Sequence, residues 1–199
     1  MTTEAATAAF SVHRYSIFSM EAVLLSALAR WANFYVIVGS SAGALTGLQF
    51  VVVALIAQSG GATSKREIKA FGTPTVIHFC AALVISVLMN IPWLAVQHLA
   101  ACLAALAVIG LIYSLTVIVH ARKSTGYQPD AEDWFWYAGL PVAAYVTLGV
   151  AAILVWMLAG RSLFLIAAIS VLFLFMGIRN SWDTVTYVAL KRRSGERAE

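Results

Sequence analysis

The sequence predicts an all-α integral membrane helix bundle with five transmembrane helices plus an N-terminal interfacial helix. Hydrophobic residues make up 61% of the 199 residues and charged residues only 11%, against about 45–50% and about 25% in soluble domains. Five stretches are long and apolar enough to cross a hydrocarbon core of about 30 Å as helices. A soluble domain of this length could not bury so much apolar surface, so lipid is the expected partner.

The predicted spans have aromatic residues near their ends, as is typical of the membrane–water interface. Thr73-Pro74 predicts the start of the helix that forms the second span, because threonine caps a helix and proline in the first turn loses no needed donor. Pro141 predicts a kink inside the fourth span. The five spans cover residues 31–57, 73–92, 98–120, 134–158 and 162–189, within a bundle of residues 31–190.

The apolar segment 16–30 precedes the first span within an N-terminal region of residues 1–30. As a helix it is about 22 Å long, which is short for a span, and it carries Glu21. We interpret it as an amphipathic helix lying at the outer interface. A sixth span is the alternative.

The distribution of basic residues predicts the orientation. With the C-terminus inside, nine basic residues lie on the inner side and three on the outer side, which favours an outer N-terminus and a basic cytoplasmic tail at residues 191–199. This arrangement also explains the formal charge of +4 without a nucleic-acid partner. The inner set is Lys65, Arg66, Lys69, Arg122, Lys123, Lys191, Arg192, Arg193 and Arg197, and the outer set is Arg14, Arg30 and Arg161.

Cysteine and histidine positions do not favour a cofactor or a metal. Cys80 and Cys102 lie at different depths, which argues against a disulfide. His78 and His120 are the only two histidines near one level, and a bis-histidine haem is weakly supported. A metal site combining His120 with the acidic residues Asp130, Glu132 and Asp133 matches no known ligand spacing. We therefore predict no cofactor and no metal.

Motifs of soluble enzymes are also missing from the sequence. There is no phosphate loop, dinucleotide fingerprint, nucleophile elbow or HExxH motif. The sequence thus does not favour an enzyme, although a lipid-modifying enzyme with polar groups converging at one interface stays open.

The first span contains Gly39, Gly43 and Gly47, spaced four residues apart. Glycines at this spacing form a smooth ridge on one helix face. Helices in lipid associate through close packing rather than through hydrophobic burial. The ridge therefore predicts a tight helix contact, either with another span of the same chain or with the first span of a second copy.

Polar residues gather in the inner halves of three spans. Such groups near hydrocarbon usually face the bundle interior, pair with each other or line a wet cavity. We interpret them as a polar vestibule open to the cytoplasm, with His78, Arg179 and Asp183 at its floor. The alternative is an interfacial helix end at which Arg179 snorkels and pairs with Asp183. The set is Gln49, His78, Arg179, Asn180, Asp183 and Thr184.

Three segments resemble a family of small multispanning proteins of the bacterial inner membrane. They are Trp31-Ala-Asn-Phe-Tyr, the run from Gly39 to Ala54, and Phe71-Gly-Thr-Pro-Thr-Val-Ile-His-Phe79. The resemblance implies a bacterial inner-membrane location. Most members are uncharacterised, and some are labelled modulators of a membrane-bound protease. No catalytic or binding residues come with the resemblance.

These observations lead to three hypotheses for function. The first is a self-associating channel or transport protein with a cytoplasmic polar vestibule, in which the first span makes a homo-oligomer. The second is an interaction subunit that modulates another membrane complex. The third is a membrane enzyme or redox subunit that binds a lipid or a quinone.

Overall fold

The computed structural model describes residues 2–58, 65–123, 131–157 and 159–196, and nearly all of these residues are helical. Three connections, at residues 59–64, 124–130 and 158, lie outside the described residues, and a fourth, at residues 91–95, is described. The elements are α1 (Thr2–Gln58), α2 (Lys65–Asn90), α3 (Val96–Lys123), α4 (Ala131–Trp134), a π-turn (Phe135–Gly139), α5 (Leu140–Met157) and α6 (Ala159–Glu196).

Five helices of the described chain are long and apolar enough to cross a membrane, which confirms the predicted all-α membrane bundle. Their outward faces carry large apolar side chains; Ile37 and Phe164, for example, are 67% and 68% exposed. Lipid is the solvent that suits such a surface. The candidate spans are Ser26–Ala54, Thr73–Asn90, Val96–Arg122, Phe135–Val155 and Arg161–Thr186.

The predicted start of the second helix at Thr73-Pro74 is wrong. The helix begins at Lys65, which places Pro74 inside it. Proline has no N–H, so the carbonyl of Ala70, four residues earlier, loses its helical donor. Membrane helices tolerate such a proline because neighbouring groups satisfy the freed carbonyl. A Thr-Pro pair therefore fits an internal position as well as a first turn.

The N-terminal segment has no helix boundary at residue 30, where the sequence predicted one. The helix runs without interruption from Thr2 to Gln58. No glycine or proline occurs before Gly39, so no residue type that ends a helix separates segment 16–30 from the first span. A 57-residue helix is roughly 86 Å long, much longer than the hydrocarbon core. A position of segment 16–30 at the outer interface stays a prediction.

The helices pack as two groups that meet through α6. The first group consists of α1, α2 and α6, and the second consists of α3 and α5, with α5 also packing on α6. Gly177 of α6 lies under the ring of Phe79 of α2, and Gly110 of α3 lies under the ring of Tyr145 of α5. Both rings are buried. The missing Cβ of each glycine allows the ring to approach the helix backbone.

The fourth span is locally widened rather than uniformly α-helical. The N–H of Leu140 donates to the carbonyl of Phe135, five residues earlier, and Pro141 follows directly. A proline ring clashes with the carbonyl four residues before it in an α-helix, and a wider turn relieves that clash. The distortion that Pro141 predicts in this span thus takes the form of a π-turn, which places Trp136 and Tyr137 beside α6.

Candidate functional site

The C-terminal half of α6 directs polar side chains toward two different neighbours. Consecutive residues of an α-helix differ in direction by about 100°. Arg179 and Asp183 therefore share one face, whereas Asn180 and Thr184 share the next. The first face contacts the segment that enters α5, and the second faces α1 and α2.

The side toward α1 and α2 forms a buried polar cluster, which we define as Gln49, His78, Asn180, Ser181 and Thr184. Ser181 Oγ donates to Gln49 Oε1 at 2.7 Å, which joins α6 to α1. Asn180 Nδ2 lies 3.4 Å from His78 Nδ1, which joins α6 to α2. Thr184 Oγ1 donates to the carbonyl of Asn180 at 2.8 Å. The cluster thus links three spans at one level.

Two amide atoms of the polar cluster lack a partner among the described residues. They are Gln49 Nε2, a donor, and Asn180 Oδ1, an acceptor. Both residues are almost completely buried, at 1% exposure. A buried polar group without a hydrogen bond costs about 1–3 kcal/mol in proteins. The cluster therefore keeps one donor and one acceptor without a partner among the described residues.

His78 is held between the polar cluster and the apolar core. Its ring is stacked on Phe173 with centroids 6.0 Å apart and an interplanar angle of 19°, and the residue is 3% exposed. An amide nitrogen only donates, so His78 Nδ1 accepts from Asn180 and carries no proton. The contact is thus a hydrogen bond in the tautomer that leaves Nδ1 unprotonated.

The other side of α6 forms a charged cluster, which we define as Glu132, Tyr137, Arg179 and Asp183. Arg179 Nη1 donates to Asp183 Oδ1 at 2.8 Å, and Arg179 Nη2 donates to Glu132 Oε1 at 2.5 Å. Tyr137 Oη donates to Asp183 Oδ2 at 3.4 Å. The guanidinium also lies over the Trp136 ring, 5.1 Å from its centroid. These contacts connect α4 and the π-turn to α6.

The charged cluster is much more open than the polar cluster. The side chains of Arg179 and Asp183 are 28% and 31% exposed, and that of Glu132 is 70% exposed. Exposed ion pairs stabilise by about 0–1 kcal/mol. The cluster therefore orients the entry of α5 against α6 without contributing much stability. The Arg179–Asp183 pair that the sequence predicted is present.

The six predicted site residues therefore divide into two groups. Four of them join the polar cluster, and Arg179 and Asp183 join the charged cluster. The hydrogen bonds of His78 therefore belong to a different network from those of Arg179 and Asp183, whereas the sequence analysis placed the three residues together at the floor of one vestibule. The polar set predicted from the sequence did not include Ser181, Glu132, Trp136 or Tyr137. Ser181 is a common residue type next to Asn180, and the partners from the entry of α5 depend on tertiary packing that no local pattern reveals.

The glycine ridge of α1 is only partly used within the chain. A Cβ at Gly39 would lie 3.0 Å from Ser86 Cβ, so this glycine packs closely on α2. Gly43 and Gly47 are exposed, and a Cβ at either position would meet no atom of the described chain within 4 Å. Gly43 and Gly47 therefore form the open part of the glycine ridge, which faces away from the described chain.

The remaining candidate ligands are dispersed. Cys80 and Cys102 are both free. His120 Nδ1 donates to the carbonyl of Thr116 at 2.8 Å, on the exposed side of α3. No group of three or more histidine, cysteine or acidic residues comes together among the described residues. Asp130 and the side chain of Asp133 lie outside the described residues.

Comparisons with protein-family models, with curated proteins and with solved structures find no match for this chain. The resemblance of segments 31–54 and 71–79 to small multispanning inner-membrane proteins therefore stays a prediction. The case for function depends on the two clusters and on the open part of the glycine ridge.

Proposed function

We propose that this chain is a self-associating transport protein or channel of the bacterial inner membrane, and that its solute binds at the polar cluster. The observation that carries the proposal is the pair of buried atoms Gln49 Nε2 and Asn180 Oδ1, which lack partners in the described chain. A hydrocarbon environment makes an unsatisfied polar group costly. Such a pair at the junction of three spans is typical of a binding site or a wet path.

The charged cluster forms the entrance to this path. Asp183 and Arg179 are partly exposed and stand on α6 next to the buried Asn180 and Thr184. The predicted orientation puts this end of the bundle in the cytoplasm, with the N-terminus outside. The side chains of most inner basic residues behind that prediction lie outside the described residues. The solute thus enters the polar cluster from the cytoplasmic side.

The open part of the glycine ridge supports self-association through α1. Gly43 and Gly47 expose backbone on a flat apolar face, and small residues at this spacing let two membrane helices approach closely. The same face could take a span of a different protein, which is the second candidate function. Partner identity separates the two: a symmetric homo-oligomer favours self-association, and co-purification of one specific protein favours a modulator subunit.

Solute flux into proteoliposomes tests transport directly. We expect the wild-type protein to accelerate the passage of at least one small solute or ion over protein-free vesicles, and we expect His78→Ala to change that rate, because it removes the partner that orients Asn180. Asp183→Ala should alter the rate at the entrance. An absence of flux for every solute tested, or identical flux in both variants and wild type, would contradict the proposal.

Gly43→Leu tests the role of the ridge. Position 43 meets nothing within the described chain, so we expect the variant to fold and to lose self-association in detergent, as measured by light scattering coupled to size-exclusion chromatography. Ala101→Leu is a matched control on the exposed face of α3 and should keep the wild-type mass. If Gly43→Leu keeps the wild-type oligomeric mass, the ridge is not part of the interface between subunits.

A further inference from the structure

The polar cluster has a specific chemistry, which narrows the kind of solute that fits it. We propose that Gln49 and Asn180 bind a small uncharged solute with both a hydrogen-bond donor and a hydrogen-bond acceptor, such as water, a polyol or an amide. The inference rests on the proposed transport function. Gln49 Nε2 is an unpartnered donor and Asn180 Oδ1 an unpartnered acceptor, so a solute with both an acceptor and a donor group complements the pair.

The hydrogen bonds around these two atoms involve only neutral groups. Gln49 is bonded to a serine hydroxyl and Asn180 to a neutral imidazole. The nearest charges along α6, Arg179 and Asp183, pair with each other and with Glu132 on the adjacent face. A solute in the polar cluster therefore meets dipoles rather than a net charge.

An ion is a poor fit for the polar cluster. Transferring a bare charge into a low-dielectric interior is costly unless an opposite charge or several ligands compensate it. Cation filters in membranes use rings of oxygen ligands, whereas the cluster provides a single unpartnered acceptor, Asn180 Oδ1. A single amide donor is likewise insufficient for an anion. The arrangement thus favours an uncharged solute that forms hydrogen bonds over an ion.

His78 positions the acceptor of the polar cluster. Its Nδ1 takes the amide hydrogen of Asn180, and this bond fixes which end of the Asn180 side chain is left for the solute. The ring itself is held by its stack on Phe173. His78 therefore acts through Asn180 and is a positioning residue, not a ligand of the solute.

Stopped-flow light scattering on proteoliposomes tests the inference with water, urea and glycerol as neutral probes, and K⁺ and Cl⁻ fluxes are measured on the same vesicles. We expect facilitated flux of at least one neutral probe. Gln49→Met should reduce that flux about tenfold, since losing a hydrogen bond of about 1.4 kcal/mol changes an equilibrium tenfold. Gln49→Glu keeps the shape but exchanges the donor for an oxygen, and it should cause a similar loss.

Two further variants complete the design. Asn180→Leu removes the acceptor and should also lower the neutral flux; if it fails to fold, the two Gln49 variants carry the test alone. Ser114→Ala is the matched control, because Ser114 is equally buried but bonded to its own helix at the carbonyl of Gly110. It should keep the wild-type rates.

The outcomes separate the inference from the proposed function. Neutral flux that falls in the Gln49 variants and not in Ser114→Ala supports both. Ion flux without neutral flux overturns the uncharged-solute inference and leaves transport standing. Neutral flux that is indifferent to both Gln49 variants also overturns the inference. No flux of any probe overturns both.

Discussion

The α2–α6 contact and the α3–α5 contact each place a glycine beneath an aromatic ring, but among the described residues only the first is bordered by buried polar atoms without a hydrogen-bond partner. Gly177 accommodates Phe79, and Gly110 accommodates Tyr145. Within the described chain, the α2–α6 side continues into His78 and Asn180, whereas the α3–α5 side continues into apolar packing between Ala107 and Gly149, whose added Cβ would lie 3.6 Å from Ala107.

The difference between these contacts is the reason why we propose a functional role for the α2–α6 side only. The α3–α5 pair packs closely, and its buried Ser114 hydroxyl is satisfied by the carbonyl of Gly110 in its own helix. The α2–α6 pair combines the same packing with buried polar groups that are not all satisfied. Natural proteins retain such groups at a cost in stability, and this cost is typical of sites that bind a ligand or conduct a solute.

The largest expected effect comes from filling the space under the rings. Gly110→Ala and Gly177→Ala each place a Cβ well inside the van der Waals contact distance of a buried ring atom, and overpacking of this kind costs about 1–3 kcal/mol. We expect both variants to lower the midpoint of thermal unfolding in detergent, followed by tryptophan fluorescence. Gly110→Ala should be the more severe, because its Cβ comes closer to the ring.

Two variants control for the change of residue type. Gly149→Ala meets only an ordinary contact with Ala107, so it should be neutral or should stabilise by up to about 1 kcal/mol through reduced backbone freedom. The double variant Gly177→Ala with Phe79→Leu should recover part of the loss, since a smaller side chain makes room for the Cβ. Equal destabilisation by all three alanine variants would contradict the ring-contact explanation.

An intermediate effect is expected in the polar cluster, where the two amides should respond differently. Asn180→Ala leaves His78 Nδ1 buried without its donor and should lower the free energy of unfolding by about 1–3 kcal/mol. Gln49→Met removes an unpartnered donor along with one bonded oxygen, and we expect it to be close to neutral. Equilibrium unfolding in mixed detergent measures both.

A marked loss of stability in Gln49→Met would indicate that Gln49 serves chiefly to hold α1 against α6. The polar cluster would then be structural, like the α3–α5 contact, and the contrast between the two regions would disappear.

The smallest effect is expected in the charged cluster. Glu132→Gln removes one partner of Arg179 from a highly exposed position and should change stability by less than about 0.5 kcal/mol. Asp183→Asn removes the partner shared by Arg179 and Tyr137 and should cost up to about 1 kcal/mol. Both differences should shrink as salt rises from 0.05 to about 0.5 M, because salt screens exposed charges. A salt-independent loss would mean that the pair is more deeply buried than its exposure indicates.

Much of the fold was predictable because lipid imposes a simple rule on the sequence. The length and apolarity of each helix were sufficient to find five spans, and every structural span overlaps its prediction. Local signals at the ends were less reliable. Thr73-Pro74 satisfies the pattern of a helix start, yet the helix begins at Lys65. A proline is tolerated inside a membrane helix because neighbouring groups can hydrogen-bond the carbonyl that it leaves without a donor.

The sequence indicated the level along each helix at which the polar residues lie, but not which neighbouring helix each side chain contacts. Counting residues along each helix placed Gln49, His78 and Asn180 at one level, and the structure brings them together. Counting does not show which neighbour a helix face meets, so Arg179 was grouped with His78 although it contacts Glu132 instead. The same limit applies to the ridge, where regular spacing did not reveal that Gly39 alone packs within the chain.

The π-turn changes the direction in which side chains of the fourth span point before and after Phe135. Trp134 and Trp136 point to opposite sides of the segment, so Arg122 of α3 lies over one ring and Arg179 of α6 lies over the other. One extra residue per turn rotates everything before Phe135 by about 100° relative to α5. Deleting a single residue from the turn would leave the packing of α5 in register but swing both Glu132 and Trp134 away from their arginines. The turn therefore allows neighbouring tryptophans of one segment to contact α3 and α6 at the same end of the bundle.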